Sequence, residues 1–142
     1  MAHQPFHGSV PDGLLYDTRY DMWVQRKGDE VLIGITGFGA FLAGEIIAFT
    51  GKPKGAEVDY GRGLGTVESA KTVLAVHSPV AFTLLEVNEA LEEKPAAINR
   101  DPHRSWLVRG TARDGKNGCA HLVDAAAYRA HVLSVEPEAT FA

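Results

Sequence analysis

Residues 65–76 read Gly-Thr-Val-Glu-Ser-Ala-Lys-Thr-Val-Leu-Ala-Val, two β-like runs that meet near Lys71. The glycine-rich segment 61–65 leads into the first run, and Ser78-Pro79 follows the second. This order of strand-forming and turn-forming residues predicts a strand–turn–strand unit with Lys71 at its tip. Because a turn tip is exposed, a lysine there is accessible to an enzyme that attaches a group covalently.

The rest of the chain is also mostly β in character. Short runs of apolar and β-branched residues alternate with turn residues, which predicts strands at 22–25, 31–35, 45–49, 83–87 and 106–109. Residues 37–44 allow no more than two helical turns, and Asn88 is expected to cap a short helical turn that runs to Glu93.

One longer helix is predicted near the C-terminus. Leu122, Ala126, Ala130 and Leu133 recur there at helical spacing, and Pro137 ends the pattern. Many short strands followed by one helix favour a mainly β architecture, a barrel or a sandwich with a packed helix.

Composition excludes several classes of protein. The 142 residues suffice for one domain with its own core. A net charge of −4, from 14 basic and 18 acidic residues, argues against a nucleic-acid partner. No apolar run is long enough to span a bilayer, and the N-terminus lacks the pattern of a signal peptide. We therefore expect a cytoplasmic protein without nucleic-acid or membrane partners.

A nucleotide site is one alternative for the segment around Lys71. Residues 65–72 differ from a P-loop at one position, where Ala70 stands in place of glycine. A P-loop requires a helix directly after its lysine, so that backbone N–H groups face the phosphates. The β-branched residues after Lys71 disfavour such a helix.

Metal binding and thiol chemistry are weaker alternatives. The six histidines show no spacing that assembles a ligand set, so surface histidines are the preferred interpretation. Cys119 is the lone cysteine, which excludes an internal disulfide. It precedes the predicted C-terminal helix, whose dipole could lower a thiol pKa, and His121 is close in sequence. A small residue at a helix entrance is the plainer interpretation.

Lys71 itself suits a carrier better than a catalyst. A lysine is ordinarily protonated at neutral pH, and it is a poor nucleophile unless it is desolvated. An exposed lysine at a turn can instead carry a group through an amide bond. If only its spacing from other residues is considered, Lys71 is interpreted as an ordinary surface lysine.

Several motifs together resemble the lipoyl-carrying H protein of the glycine cleavage system. The similarity runs in one order over about residues 14 to 133 and is strongest at segments 66–71, 78–80, 86–91, 106–107 and 122–128. The resemblance implies a mainly β barrel-sandwich hybrid with short helices and a C-terminal helix. It also implies an extended arm at 1–14, a carrier domain at 15–135 and a tail at 136–142.

The resemblance implies a non-catalytic carrier with lipoate linked covalently to Lys71. By the same resemblance, Glu68 and Ser69 are residues close to Lys71 that a lipoate ligase or lipoyltransferase recognises. Biotin carriers share this fold, but methionines usually flank their lysine, so Ala70 and Thr72 disfavour biotin. The exposed acidic residues are expected to lie on a solvated face that could guide docking; they are Glu86, Glu89, Glu92 and Glu93.

Three departures from the family bear on the pathway. Phe82 stands where the family carries a turn glycine, and a bulky residue cannot adopt a positive φ cheaply. Tyr20-Asp21-Met22 replaces a histidine–glutamate pair, and residues 42–55 lack an acidic-proline loop. These features are more similar to lipoate-binding proteins associated with sulfur oxidation and a heterodisulfide-reductase-like complex.

Sulfur oxidation is therefore the preferred pathway from the sequence. The alternative is the H protein of glycine cleavage, which passes an aminomethyl group from glycine decarboxylase to the aminomethyltransferase. On both readings the lipoyl group is a swinging arm between enzymes, and dihydrolipoamide dehydrogenase reoxidises its dithiol.

Overall fold

The computed structural model describes residues 4–115 and 117–142. Short strands dominate, and the bounds of the strands are β1 His7–Gly8, β2 Leu15–Asp17, β3 Met22–Lys27, β4 Glu30–Ile35, β5 Ile46–Gly51, β6 Glu57–Val58, β7 Gly63–Ser69, β8 Val73–His77, β9 Phe82–Val87, β10 Val108–Ala112 and β11 Thr140–Phe141. The helices are α1 Gly37–Ala43, α2 Glu89–Glu93, α3 Ala97–Arg100 and α4 Ala125–Val135, and Asn117–Cys119 forms a single 3₁₀ turn.

Two antiparallel sheets form the body of the fold. The larger sheet has the order β2-β3-β4-β10-β9-β6, and the smaller one has the order β5-β7-β8. Their buried side chains form one core, in which Ile33 and Leu84 of the large sheet join Leu64 and Val67 of the small sheet. The barrel-sandwich architecture predicted from the sequence is confirmed.

A second apolar cluster lies between α4 and the large sheet. Tyr16 of β2 stacks on Tyr128 of α4 with ring centroids 4.8 Å apart, and both side chains are fully buried. Phe6 and Val10 from the N-terminal segment belong to the same cluster. A short parallel pairing of β1 with β11 holds the two ends of the described chain together. No helix in residues 4–115 or 117–142 is long and apolar enough to cross a bilayer.

The strands predicted at 22–25 and 31–35 are confirmed, and they form a hairpin in which β3 and β4 pair as far as Lys27 and Glu30. The strand predicted from Trp106 is wrong at its start, since β10 begins at Val108. Asn88 precedes α2 as expected but makes no capping hydrogen bond. Its side-chain amide donates instead to the Trp106 carbonyl at 2.8 Å, so it tethers the connection between α3 and β10.

The C-terminal helix exists, but its buried face differs from the prediction. Asp124 is the N-cap and accepts a hydrogen bond from the Ala127 N–H, so α4 begins only at Ala125 and Leu122 lies outside it. The buried side chains of α4 are Ala125, Tyr128 and Val132. The predicted stripe of Ala126, Ala130 and Leu133 faces solvent instead.

Candidate modification site at the hairpin tip

Strands β7 and β8 form a tight antiparallel hairpin with Lys71 in its turn. Their pairing runs from Glu68 opposite Val73 to Gly63 opposite His77. At the tip, the Ser69 N–H donates to the Thr72 carbonyl at 2.9 Å, which closes the turn over Ala70 and Lys71. The predicted strand–turn–strand unit is present, although β7 already begins at Gly63, within the segment predicted as a turn.

The Ser69 hydroxyl organises this turn. It accepts hydrogen bonds from the backbone N–H groups of Lys71 at 3.2 Å and Thr72 at 3.3 Å. Ser69 is only 5% exposed, so its side chain points into the protein beneath the turn. A serine hydroxyl that binds backbone groups two and three residues ahead is a common way to stabilise a turn. The backbone on each side of Lys71 is therefore fixed by its neighbour.

The Lys71 side chain is exposed at the tip. Within the part of the chain that the structure describes, it makes no ion pair and no side-chain hydrogen bond. Glu68 is exposed as well and lies on the solvent side of β7, opposite Val73. The structure thus brings Lys71, Glu68 and Ser69 together, with Glu68 facing outward and Ser69 inward.

Lys71 does not belong to a phosphate-binding loop. Strand β8 follows it directly, so the turn lacks the helix N-terminus that a P-loop places at the phosphates. Gly65, in the glycine-rich segment before Lys71, has a role in packing. A Cβ there would collide with the Thr50 carbonyl oxygen on β5, so this glycine permits close approach of two strands. The prediction that β-branched residues after Lys71 form a strand in place of a helix is confirmed.

A mostly apolar groove of about 210 Å³ runs beside β8. Its lining includes Leu74 and Ala75 of β8, together with Met22, Ile35 and Leu42. This groove was not predicted from the sequence. A signal for it was present in Leu74, a large apolar residue on a short strand whose side chain remains exposed.

Asp21 contributes a polar group to the same groove. It has a positive φ of 56°, and its carboxylate accepts a hydrogen bond from the Tyr128 hydroxyl at 2.8 Å. Burial raises the pKa of Asp21, while the Tyr128 hydrogen bond and the nearby His131 oppose that shift. Asp21 is thus a partly buried carboxyl group whose proton is held more tightly than in water.

Phe82 is accommodated without strain. It begins β9, is fully buried and does not have a positive φ. The adjacent β10 carries Gly110, where a Cβ would collide with the Phe82 ring. The turn is therefore built differently from one with glycine at this position, as expected, and Gly110 provides the space for the ring.

Cys119 and the described histidines are placed apart from the hairpin tip or in structural contacts. Cys119 ends the 3₁₀ turn, well before α4 begins at Ala125, so its predicted position at the entrance of the C-terminal helix is wrong and the alternative that relied on the helix dipole does not apply. The His121 Nε2–H donates to the Pro79 carbonyl at 2.6 Å, which gives this histidine a structural contact. In residues 4–115 and 117–142, no three potential metal ligands lie together.

Fold and site together define a small barrel-sandwich domain that presents one lysine at the tip of a tight hairpin. A family model described as glycine cleavage H-protein matches residues 14–134. The H protein of Anaeromyxobacter sp. (strain K) is 36% identical over 128 residues, which cover 89% of this chain and 98% of that protein. The H protein of Mycolicibacterium vanbaalenii is 37% identical over 127 residues, or 87% and 96% of the two chains.

Structural similarity agrees with the sequence matches. The crystal structure of a glycine cleavage system H protein from Mycobacterium marinum has a TM-score of 0.76 and 26% identity. The match covers 85% of this chain and 97% of that one. The chain belongs to the glycine cleavage H-protein family.

Proposed function

We propose that this protein is a lipoyl carrier and that Lys71 is the residue to which lipoate is attached. The observation that carries the proposal is the exposed Lys71 side chain at a turn that Ser69 closes, in a chain of this family. The amide bond replaces the charge of Lys71 with a neutral link. Bound lipoate supplies a dithiolane that opens to a dithiol on reduction.

The protein's own contribution is to hold and present the arm. The turn fixes the Lys71 backbone, and no described side chain restrains its head group. Tethering in this way gives the bound group a high effective concentration at each partner's active site. We propose residues 15–135 as the carrier domain, residues 1–14 as an N-terminal arm and residues 136–142 as a tail, and the pairing of β1 with β11 supports a contact between His7–Gly8 and Thr140–Phe141.

Glycine cleavage is the pathway we propose first. Each relative described above carries the name of that system's H protein, and none of the comparisons addresses sulfur oxidation. The expected partners are glycine decarboxylase, the aminomethyltransferase and dihydrolipoamide dehydrogenase. We also propose how the attaching enzyme recognises the hairpin. A lipoate ligase or lipoyltransferase contacts the exposed Glu68 directly, and it recognises Ser69 through the shape of the turn that Ser69 closes.

Sulfur oxidation with a heterodisulfide-reductase-like complex is the second candidate. It is favoured by Tyr20-Asp21-Met22, which stands where the family carries a histidine–glutamate pair and lines the groove beside β8. The test between the pathways adds lipoylated protein to glycine decarboxylase and measures exchange of bicarbonate with glycine. Strong exchange supports glycine cleavage, and its absence with an active decarboxylase supports the second candidate.

Attachment is tested by intact-mass spectrometry after incubation with a lipoate ligase, ATP and lipoate. We expect one lipoyl adduct on the wild-type protein and none on Lys71→Arg. Lys54→Arg is a matched control, because Lys54 is also exposed in a turn and its replacement should leave the adduct in place. An adduct that persists on Lys71→Arg would contradict the assignment.

A further inference from the structure

Strand β8 has a free edge, because it is the last strand of the sheet β5-β7-β8. The hydrogen bond from Ser69 to Thr72 sets the phase of the pairing with β7. In an antiparallel ladder, alternate residues direct their backbone groups toward the partner strand. Leu74 and Val76 therefore bond to β7, whereas Val73 and Ala75 direct their N–H and C=O groups away from the sheet.

The opposite edge of this sheet is protected. On β5, the Ile46 N–H donates to the Asn99 side chain at 2.8 Å, and the Gly51 N–H donates to Glu92 at 3.3 Å. Natural proteins usually blunt an exposed edge with charges, proline or a covering loop. Residues 73–76 carry neither charge nor proline. Among the described residues, only the Thr72 hydroxyl contacts an outward group of this stretch, at 3.4 Å from the Val73 carbonyl.

The side chains beside this edge are apolar and exposed. Val73 is 60% exposed and Leu74 is 40% exposed. Leu42 on α1 is 57% exposed and lines the same groove as Leu74. A row of unpaired backbone donors and acceptors next to apolar side chains matches an extended polypeptide segment, which bonds through its own backbone and places alternate side chains in the groove.

We propose that the free edge of β8 binds an extended segment of the enzyme that acylates Lys71, so that the two proteins form one continuous sheet. This inference rests on the proposed function of Lys71. The acylating enzyme must reach the Lys71 amine itself, whereas enzymes that act on the loaded arm meet its far end. A segment paired at Val73 and Ala75 would lie one strand spacing, about 4.8 Å, from β8 and close to the lysine.

The first test is acylation by a lipoate ligase of a variant that loses one outward N–H. Ala75→Pro removes this group without breaking the β7–β8 ladder, since proline is tolerated where a strand faces solvent. Ala75→Ser is the matched control, because it changes the side chain and keeps the N–H. We expect Ala75→Pro to lower kcat/KM for acylation about tenfold through the lost pairing, and Ala75→Ser to remain near wild type.

The second test measures hydrogen exchange of single amides by NMR and does not depend on whether Ala75→Pro folds. Lys71→Arg protein, which cannot be acylated, is mixed with the ligase carrying lipoyl-adenylate. We expect the Val73 and Ala75 amides to exchange quickly in the free protein and to become protected in the complex. Leu74 and Val76 serve as internal references, because β7 already protects them.

Wild-type acylation of the Ala75→Pro variant, or Val73 and Ala75 amides that exchange as fast in the complex as in the free protein, would overturn the inference. Neither result removes Lys71 as the attachment site, because both are compatible with an adduct on the wild-type protein. Absence of any adduct on the wild-type protein would instead overturn the proposed function. The two failures are therefore distinguishable by mass.

Discussion

Replacing Ser69 with alanine should loosen the hairpin and slow the modification of Lys71. The substitution removes the acceptor for the Lys71 and Thr72 N–H groups, together with a donor 3.4 Å from the Thr72 carbonyl. A hydrogen bond contributes about 0.5–1.5 kcal/mol net. Water can reach the tip and replace part of what is lost, so we expect a stability loss of about 1 kcal/mol.

The expected loss is measurable by thermal unfolding. For a chain of this size, about 1 kcal/mol corresponds to a fall in Tm of about 3 °C. The Lys71 and Thr72 amide hydrogens should also exchange faster with solvent. If the protein were destabilised as a whole, faster exchange would extend beyond these two residues at the hairpin tip. Ser69→Thr keeps a hydroxyl on a β-branched side chain that suits a strand, and it should retain most of the stability.

The kinetics of acylation by a lipoate ligase test whether the structure of the turn affects the modification of Lys71. A looser turn presents Lys71 in more conformations, so we expect a higher KM for Ser69→Ala than for wild type or Ser69→Thr. The reasoning is refuted if Ser69→Ala keeps the wild-type Tm, amide exchange and KM, since the buried hydroxyl would then do nothing for the turn.

Three further predictions concern the scaffold. Gly110→Ala should destabilise the protein by about 2 kcal/mol in urea unfolding, because the new Cβ would meet the Phe82 ring and lie 2.6 Å from the Thr83 carbonyl. Adding Phe82→Leu should recover part of the loss, and an unchanged urea midpoint for Gly110→Ala would contradict the packing argument. Asp124→Ala should cost about 1 kcal/mol through the lost N-cap of α4, whereas Asp124→Asn should not. Burial lowers the pKa of His103 to about 4 from 6.5, so the unfolded chain binds the proton first and stability falls as the pH falls from 6.5 to about 4. Allowing for partial exposure, this loss is about 1–2 kcal/mol, and Tm measured across that pH range should fall less steeply for His103→Gln.

Local turn chemistry explains why the hairpin could be predicted from the sequence. Lys71 lies between two strand-forming runs, and each run is long enough to define its own periodicity. The role of Ser69 depends on which face of β7 points inward, which only the packing of the two sheets determines. The sequence therefore indicated Ser69 as a neighbour of Lys71 but not as the residue that closes the turn.

The C-terminal helix shows how the predicted first residue of a helix determines which of its faces is predicted to be buried. A pattern that starts at Leu122 selects Ala126, Ala130 and Leu133, whereas a helix that starts after Asp124 buries Ala125, Tyr128 and Val132. Aspartate is a preferred N-cap, so Asp124 was a usable signal in the sequence. Tyr128 then supplies more apolar area to the core than the alanine stripe could.

Phe82 illustrates why a departure from a family pattern does not by itself identify a pathway. The ring is fully buried in β9, and Gly110 on β10 leaves space for it. Two positions on neighbouring strands thus compensate each other within the core, where neither residue is exposed to a partner. By contrast, Asp21 is only partly buried and lines the groove beside β8, so a change of residue there alters the surface next to the hairpin that carries Lys71. A choice between pathways should therefore be tested at the groove, for example by placing the family's histidine at Asp21 and measuring glycine–bicarbonate exchange. An increase in exchange would show that this position, unlike Phe82, determines which enzymes the carrier serves.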